Sequence, residues 1–536
     1  MKNHTIPFLG ARTYFSLMTG SASPERVCGF ALSSGYGAIA LNDANNLHAL
    51  PEFVDAAMAV GIKAIAGASI EDRGRTLCRL WCLDRQGFSR LCFILSGILG
   101  NAAGSMGCGI DDNAEGAATG GLPVRCTRPY DPIADLAKNG WDGLALASDD
   151  PAVLRRLAAA WPCGTLAPGL PVSSDSFWSR PSVILGCTGG SMLSARLASG
   201  LGLPTLAFAG GAVFDSEDGA RLRLLSAVKR RVTLSALPED PAGFAALRAP
   251  SAVAAAASFS AFPEALAAAR RLATEAAPAQ EFFSSPPVFP PYRGMDEAAA
   301  FYALKRLCAQ GADRRYPPQG LQYPGVADRL RRELGIIRAK GFASYFLVVR
   351  DIVSTCPRTC GRGSAASSIV SYLLGITHVD PLAHDLFFER FLNEGRVDPP
   401  DIDVDFPWDE RAVVLERVFR DYAGRAAMVA DHCRFSGRSK VREAALALGK
   451  NLDEVDKLVR AWRHGGAEAL PPELASASSL LAGVPRYIGT HPGGVVITPR
   501  SIYDYAHVQP SPAGLPVLAW EKDGTERAGL VKIDLL

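Results

Sequence analysis

Histidine is scarce in this chain. It holds 8 in all, and only His4 and His48 precede residue 378. An excess of one charge is missing too. The 56 Lys and Arg stand against 54 Asp and Glu, a net of +2, so any basic surface for nucleic acid must be local. The start, MKNHTIPFLG, lacks the apolar stretch of a signal peptide. The longest uncharged run, Leu91 to Ile110, is apolar only to Leu99 and then turns to Gly, Asn and Ser, too polar to span a bilayer. The 12 cysteines form no CxxC pair, and Cys78/Cys82 and Cys356/Cys360 have no histidine nearby to finish a zinc site. Buried free thiols in a cytoplasmic protein, with no membrane partner, are the expectation.

What is present points to several domains. A chain of 536 residues, 48% hydrophobic, is long enough for more than one core. Short apolar runs alternate with helical stretches in the first part. AIALND (38–43), the helical LPEFVDAAMAVG (50–61), KAIAGASI (63–70) and PSVILGC (181–187) argue an α/β domain. Pro263 opens a helix, EALAAARRLATEA, and the proline-rich FFSSPPVFPPYRG (282–294) reads as an extended linker. A helix from Val326 to Lys340 places Val326, Leu330, Leu334 and Ile337 on one face. A helical stretch over about 438–485 precedes strand-like GGVVITP and GLVKIDLL.

The densest chemistry lies in PPDIDVDF (399–406). Period-two alternation puts Ile402, Val404 and Phe406 on one face of a strand and Asp401, Asp403 and Asp405 on the other. Carboxylates so close repel one another unless cations neutralise them, and oxygen-only ligation suits Mg²⁺ or Mn²⁺. Taken alone, the motif also reads as a solvated acidic edge strand. Upstream, CGRGSAASSIVSYLLG (360–375) is a Gly-rich turn leading into an apolar helix ended by Gly375. A helix start of this kind presents free N–H groups to a phosphate, with Arg362 and Ser364 placed to add hydrogen bonds. Downstream, GLVKIDLL alternates again, with Lys532 and Asp534 facing one way. Together these are the parts for two-metal phosphoryl transfer.

The run GFASYFLVVRDIV (341–353), CGRGSAASSIVSYLLGITHVDPLAHDLFFERFLN (360–393), PPDIDVDF, HPGGVVITP (491–499) and GLVKIDLL resembles the C-family DNA polymerases, the bacterial polymerase III α subunits and their error-prone relatives. PPDIDVDF with RFSGRSKVREAALALG (434–449) is most similar to the error-prone branch. The resemblance implies an α/β multidomain protein, a degenerate PHP-like (β/α) barrel followed by a polymerase β-like nucleotidyltransferase palm with a helical thumb insertion. The expected divisions are 1–285 for the PHP-like domain, 286–432 and 487–536 for the two parts of the palm, and 433–486 for the thumb-like helices. It implies template-directed DNA synthesis, with primed DNA and dNTPs as partners. Asp401, Asp403 and Asp534 would hold two Mg²⁺ or Mn²⁺, with Asp405 in support. Arg362, Gly363, Ser364, Arg390 and Lys532 would meet the triphosphate. Arg438 and Arg442 match positions for DNA phosphate, and His491 one for a structural role or template contact.

Where the family's PHP domain holds metal ligands, this sequence has Gly10, Arg12, Asp43 and Ala44, so only the aspartate agrees. FAGGAVFDSEDGA (208–220) has no Asp-x-His in register. With two histidines in that region and His48 read as a surface residue, no metal cluster and no phosphoesterase activity are expected. The family's fingers, clamp-binding region and OB-fold follow the Asp534 strand. The expectation is therefore a polymerase subunit encoded in pieces, with a companion chain for the fingers and clamp-binding region, or a gene fragment. In either case synthesis belongs to the completed enzyme and this chain alone has little. The other reading is a catalytically silent DNA-binding or assembly protein on a palm scaffold.

Overall fold

Apolar runs too short for helices, each flanked by turn residues, become buried strands in the first part of the chain. The computed structural model describes residues 6–102, 129–160, 177–187, 191–238, 246–284, 287–356, 358–393, 395, 400 and 402–536. They fall into two units. One comprises residues up to Phe282 together with His432–Gly489, the other Phe283–Asp431 and Thr490–Leu536. Among the described residues no helix is long and apolar enough to cross a membrane.

In the first unit, four parallel strands run in the order Gly210–Gly211, Phe8–Ala11, Ala38–Leu41, Lys63–Ile65. A second sheet of six runs Asp43–Ala44, Gly67–Asp72, Arg75–Cys82, Leu144–Ser148, Ser182–Gly186, Thr205–Phe208. Its antiparallel hairpin turns through Arg73 and Gly74, both at positive φ (47° and 82°), the twist a two-residue hairpin requires. KAIAGASI, read as one run, divides between the two sheets. The bend falls at Gly67, where a Cβ would stand 2.6 Å from Leu80 O, so only glycine allows the approach. Helices Gly437–Ala447, Leu452–Gly465 and Pro472–Leu481 also pack into this unit. Val441, Ala444, Leu474 and Leu481 share a core with Leu224 and Leu225 of helix Ser216–Arg230. The helical stretch expected as a thumb-like insertion thus buries its apolar face against the N-terminal unit.

The second unit carries helices Glu297–Arg315, Val326–Lys340, Ala343–Val353 and Arg411–Asp421. Its strands belong to a seven-stranded mixed sheet ordered Cys360–Arg362, Asp403–Asp405, Lys532–Leu535, Pro485–Ile497, Ala426–Arg434, Pro516–Leu518, Val508–Pro510. Val404 and Leu535 are fully buried and Ile402 nearly so. That apolar face anchors the sheet and leaves the opposite face for the acidic residues.

Candidate active site

Strand register brings the aspartates together. Asp403–Asp405 runs parallel to Lys532–Leu535 with Asp403 opposite Asp534 and Val404 opposite Leu535. Residues opposite one another in paired strands project to the same face, so the two carboxylates share a side of the sheet. Asp403 also pairs with Arg362, and Asp405 with Cys360, on the antiparallel neighbour. Asp401 lies outside the described residues. Asp405 is half-exposed, 3.5 Å from Arg362 Nε.

Asp534 is buried, and its two oxygens differ. Oδ2 accepts a hydrogen bond from Lys532 Nζ, the residue two before it on the same face. Oδ1 is buried with no hydrogen-bond donor. His491 Nδ1 lies 3.7 Å from that oxygen. The contact is not an ion pair, because Nδ1 already accepts from the backbone N–H groups of Gly493 (3.2 Å) and Gly494 (2.7 Å). Nδ1 therefore presents a lone pair, and the imidazole proton sits on Nε2. Burial pushes the His491 pKa down, while Asp534 opposes the shift. An orphaned carboxylate oxygen beside a second carboxylate suits a hard divalent cation. The donor set fits Mg²⁺ or Mn²⁺.

The Gly-rich turn reaches the same edge. Gly363 has φ of +64°, and a Cβ there would lie 3.4 Å from Asp403 Oδ2. Ser364 is half-buried and Arg362 exposed. One expectation needs correction. The helix does not begin at the turn but at Ile369, after a 3-10 segment, Gly363–Ser367. Its first N–H groups are not free for phosphate. Ile369 N and Val370 N donate to the carboxylate of Glu333, at 3.1 and 3.2 Å. The sequence held a signal for this, since Glu333 falls on the apolar face of helix Val326–Lys340, beside Leu330, Leu334 and Ile337.

The other basic candidates are dispersed. Arg390 is exposed on the short turn Phe388–Arg390. Arg438 and Arg442 share one helix of the first unit, both exposed, with Arg442 Nη1 3.6 Å from Asp456. Lys532 is committed to Asp534, so its charge already serves the acidic pair.

In the first unit the positions matching a metal site hold other contacts. Asp43 is buried and accepts from Thr13 N (2.7 Å), Thr13 Oγ1 (2.7 Å) and Ser16 Oγ (2.6 Å). Burial pushes its pKa up to about 6, against the pull of these bonds and of Arg12. Arg12 pairs with Glu71 and donates to Ser69 Oγ at 3.1 Å. A Cβ at Gly10 would stand 2.5 Å from the ring of Phe208, so that aromatic fills the space a ligand side chain would need. The Arg79 guanidinium lies over the same ring at 4.5 Å. Ala44 offers no donor side chain. His48 is buried, not on the surface as expected, because it packs edge-on against His432 with centroids 5.7 Å apart. That contact comes from strand Ala426–Arg434, far along the chain, which local sequence cannot show.

Two family models match. Residues 302–536 fit the bacterial DNA polymerase III alpha NTPase domain, and residues 9–106 the PHP domain. The Error-prone DNA polymerase of Nocardia farcinica is 33% identical over 99% of this chain and 51% of its own. That of Mycobacterium tuberculosis is 32% identical over 98% of this chain and 48% of its own. The Error-prone DNA polymerase of Methylococcus capsulatus is 39% identical over 45% of this chain and 25% of its own. The chain spans about half the length of the first two relatives. Matched by both domains in order and by these relatives, the chain belongs to the C-family, DNA polymerase III α-like proteins.

Proposed function

We propose that this chain carries the nucleotidyl-transfer centre of an error-prone-type DNA polymerase, on a palm formed by its second unit. The observation that carries the reading is Asp534 Oδ1, buried without a donor and register-paired with Asp403. Asp401, Asp403 and Asp534 would hold two Mg²⁺ ions, which activate the primer 3′-hydroxyl and offset charge on the departing pyrophosphate. Lys532 orients Asp534. His491, its Nδ1 accepting from the Gly493 and Gly494 N–H groups and its proton on Nε2, brings no cation of its own to the acidic edge. Gly363 lets the turn approach Asp403 closely, and Arg362, Ser364 and Arg390 are the side chains offered to the triphosphate. Arg438 and Arg442 are assigned to DNA phosphate, and the helices around them to a thumb. The N-terminal unit is a PHP scaffold without a metal cluster, its cation replaced by Arg12.

The test measures Mn²⁺ and Mg²⁺·dNTP affinity and metal-dependent primer extension, with Asp403→Ala and Asp534→Ala beside the unaltered chain. Each variant is expected to weaken metal binding by about 100-fold or more, beyond what outer-shell changes cost. Metal and nucleotide affinities unchanged in both variants would sink the reading. A silent assembly protein on the same scaffold gives no account of an orphaned buried carboxylate oxygen.

A further inference from the structure

We infer that Glu333, acting with Arg329, is the positioning residue of the nucleotide-binding turn, holding Arg362, Gly363 and Ser364 in place against the aspartate-bearing strands. This rests on the reading of that site given above. Glu333 has no exposed surface, and its carboxylate takes four donors. Oε1 accepts from Arg329 Nε (2.6 Å) and Ile369 N (3.1 Å). Oε2 accepts from Ser368 Oγ (2.7 Å) and Val370 N (3.2 Å). The other arm of Arg329, Nη2, donates to Ser367 O (2.9 Å) and Leu386 O (2.7 Å).

A buried ion pair is weak evidence for stability, since desolvation offsets most of its attraction; its best-attested use is to select one arrangement. Capping is one part of this: Ser368 accepts from Ser371 N at 3.1 Å, and Glu333 takes the Ile369 and Val370 N–H groups before it. What the pair adds is connection. Two side chains of helix Val326–Lys340 hold the last residue of the turn, the start of the next helix and the segment entering Phe388–Arg390. At its other end the turn is fixed by the pairing of Arg362 with Asp403. Between these anchors lies Gly363 in the left-handed region, which a residue without a Cβ adopts at least cost. Released at the Ser367 end, the turn would pivot there, while Asp403 and Asp534 stay in strand register. Nucleotide affinity should therefore fall and metal affinity should not.

The experiment compares the 536-residue chain with Glu333→Gln and Ser368→Ala, each checked for folding by circular dichroism. Mn²⁺ affinity is read by electron paramagnetic resonance and Mg²⁺·dATP affinity by calorimetry. Losing charge-assisted hydrogen bonds at Glu333 should weaken dATP about tenfold. Losing the Ser368 hydroxyl, which gives up its bond to Glu333 and its cap on Ser371 N, should weaken it about threefold, with Mn²⁺ affinity in both within about twofold of the unaltered chain. Unchanged dATP affinity in folded Glu333→Gln overturns the inference, as does a parallel loss of Mn²⁺, which would mark plain structural support. If Glu333→Gln does not fold, Ser368→Ala decides on the same readouts. An unaltered chain that binds Mn²⁺ but not dATP overturns the nucleotide reading of the turn, and this inference with it.

Discussion

Asp403 and Asp534 stand directly opposite each other in neighbouring parallel strands, one half-buried and the other buried. Like charges so placed destabilise the pair. Replacing Asp403 by Asn should therefore raise the melting temperature in EDTA by about 2 °C or more. In Mn²⁺ the order should reverse. The unaltered chain gains stability by mass action, about 2.7 kcal/mol at a hundredfold excess over Kd, and the variant does not. Thermal scans with and without metal check the crossover; the same order in both would mean no cation sits between these carboxylates.

Asp43 makes the first unit sensitive to mild pH. Its folded pKa of about 6 lies above the ordinary 3.8 because burial disfavours its charge. Between those values the folded protein holds a proton that the unfolded chain has lost. Stability therefore falls as pH rises from 4 to 6, by about 3 kcal/mol at most, and this contribution is level above. Asp43→Asn should flatten that slope, since Thr13 and Ser16 hydroxyls can turn to suit an amide. Unfolding of both forms across pH 4 to 7 is the measurement, and parallel curves would contradict it.

His491 should be found neutral at pH 7 with its proton on Nε2, as ¹⁵N shifts of the imidazole report. His491→Ala leaves the N–H groups of Gly493 and Gly494 without their acceptor, costing about 1–3 kcal/mol where water cannot replace it. A protonated Nδ1 would restore the ion pair with Asp534 and remove the argument that its free oxygen awaits a cation.

Arg12→Ala should destabilise the first unit by about 1–3 kcal/mol, because it strips Glu71 of its cation in a half-buried place. Removing Glu71 as well should recover part of that loss. Elemental analysis of a chain carrying Asp403→Ala and Asp534→Ala should find no stoichiometric zinc or manganese. Bound metal in that variant would place a cluster in the first unit after all.

Much of the site was legible because strands write their faces into sequence with a period of two. PPDIDVDF and GLVKIDLL each declared which aspartates share a side, and Asp403 and Asp534 do meet in register. What pairs with what was not legible. Glu333 sits far from Ile369 in sequence, and its single polar position among Leu330, Leu334 and Ile337 reads as noise until the helix start is placed above it. The turn was read as opening the helix, but 3-10 residues intervene and move the N-terminus to Ile369. His48 read as exposed because its partner, His432, arrives on a strand far along the chain.

The strand Lys532–Leu535 lies third in the seven-stranded order, between Asp403–Asp405 and Pro485–Ile497, although it comes last in sequence. The acidic strand and Pro485–Ile497 meet only through it, so during synthesis the sheet waits with a gap between them. Closing that gap is a late, non-local event, slow by the nature of its loop closure. Meanwhile the acidic strand shows an open row of backbone donors and acceptors, the kind of edge that recruits other nascent chains. Its own carboxylates guard it, since a second copy would bring like charges face to face. The residues assigned to metal would thus also protect the half-made protein from aggregation.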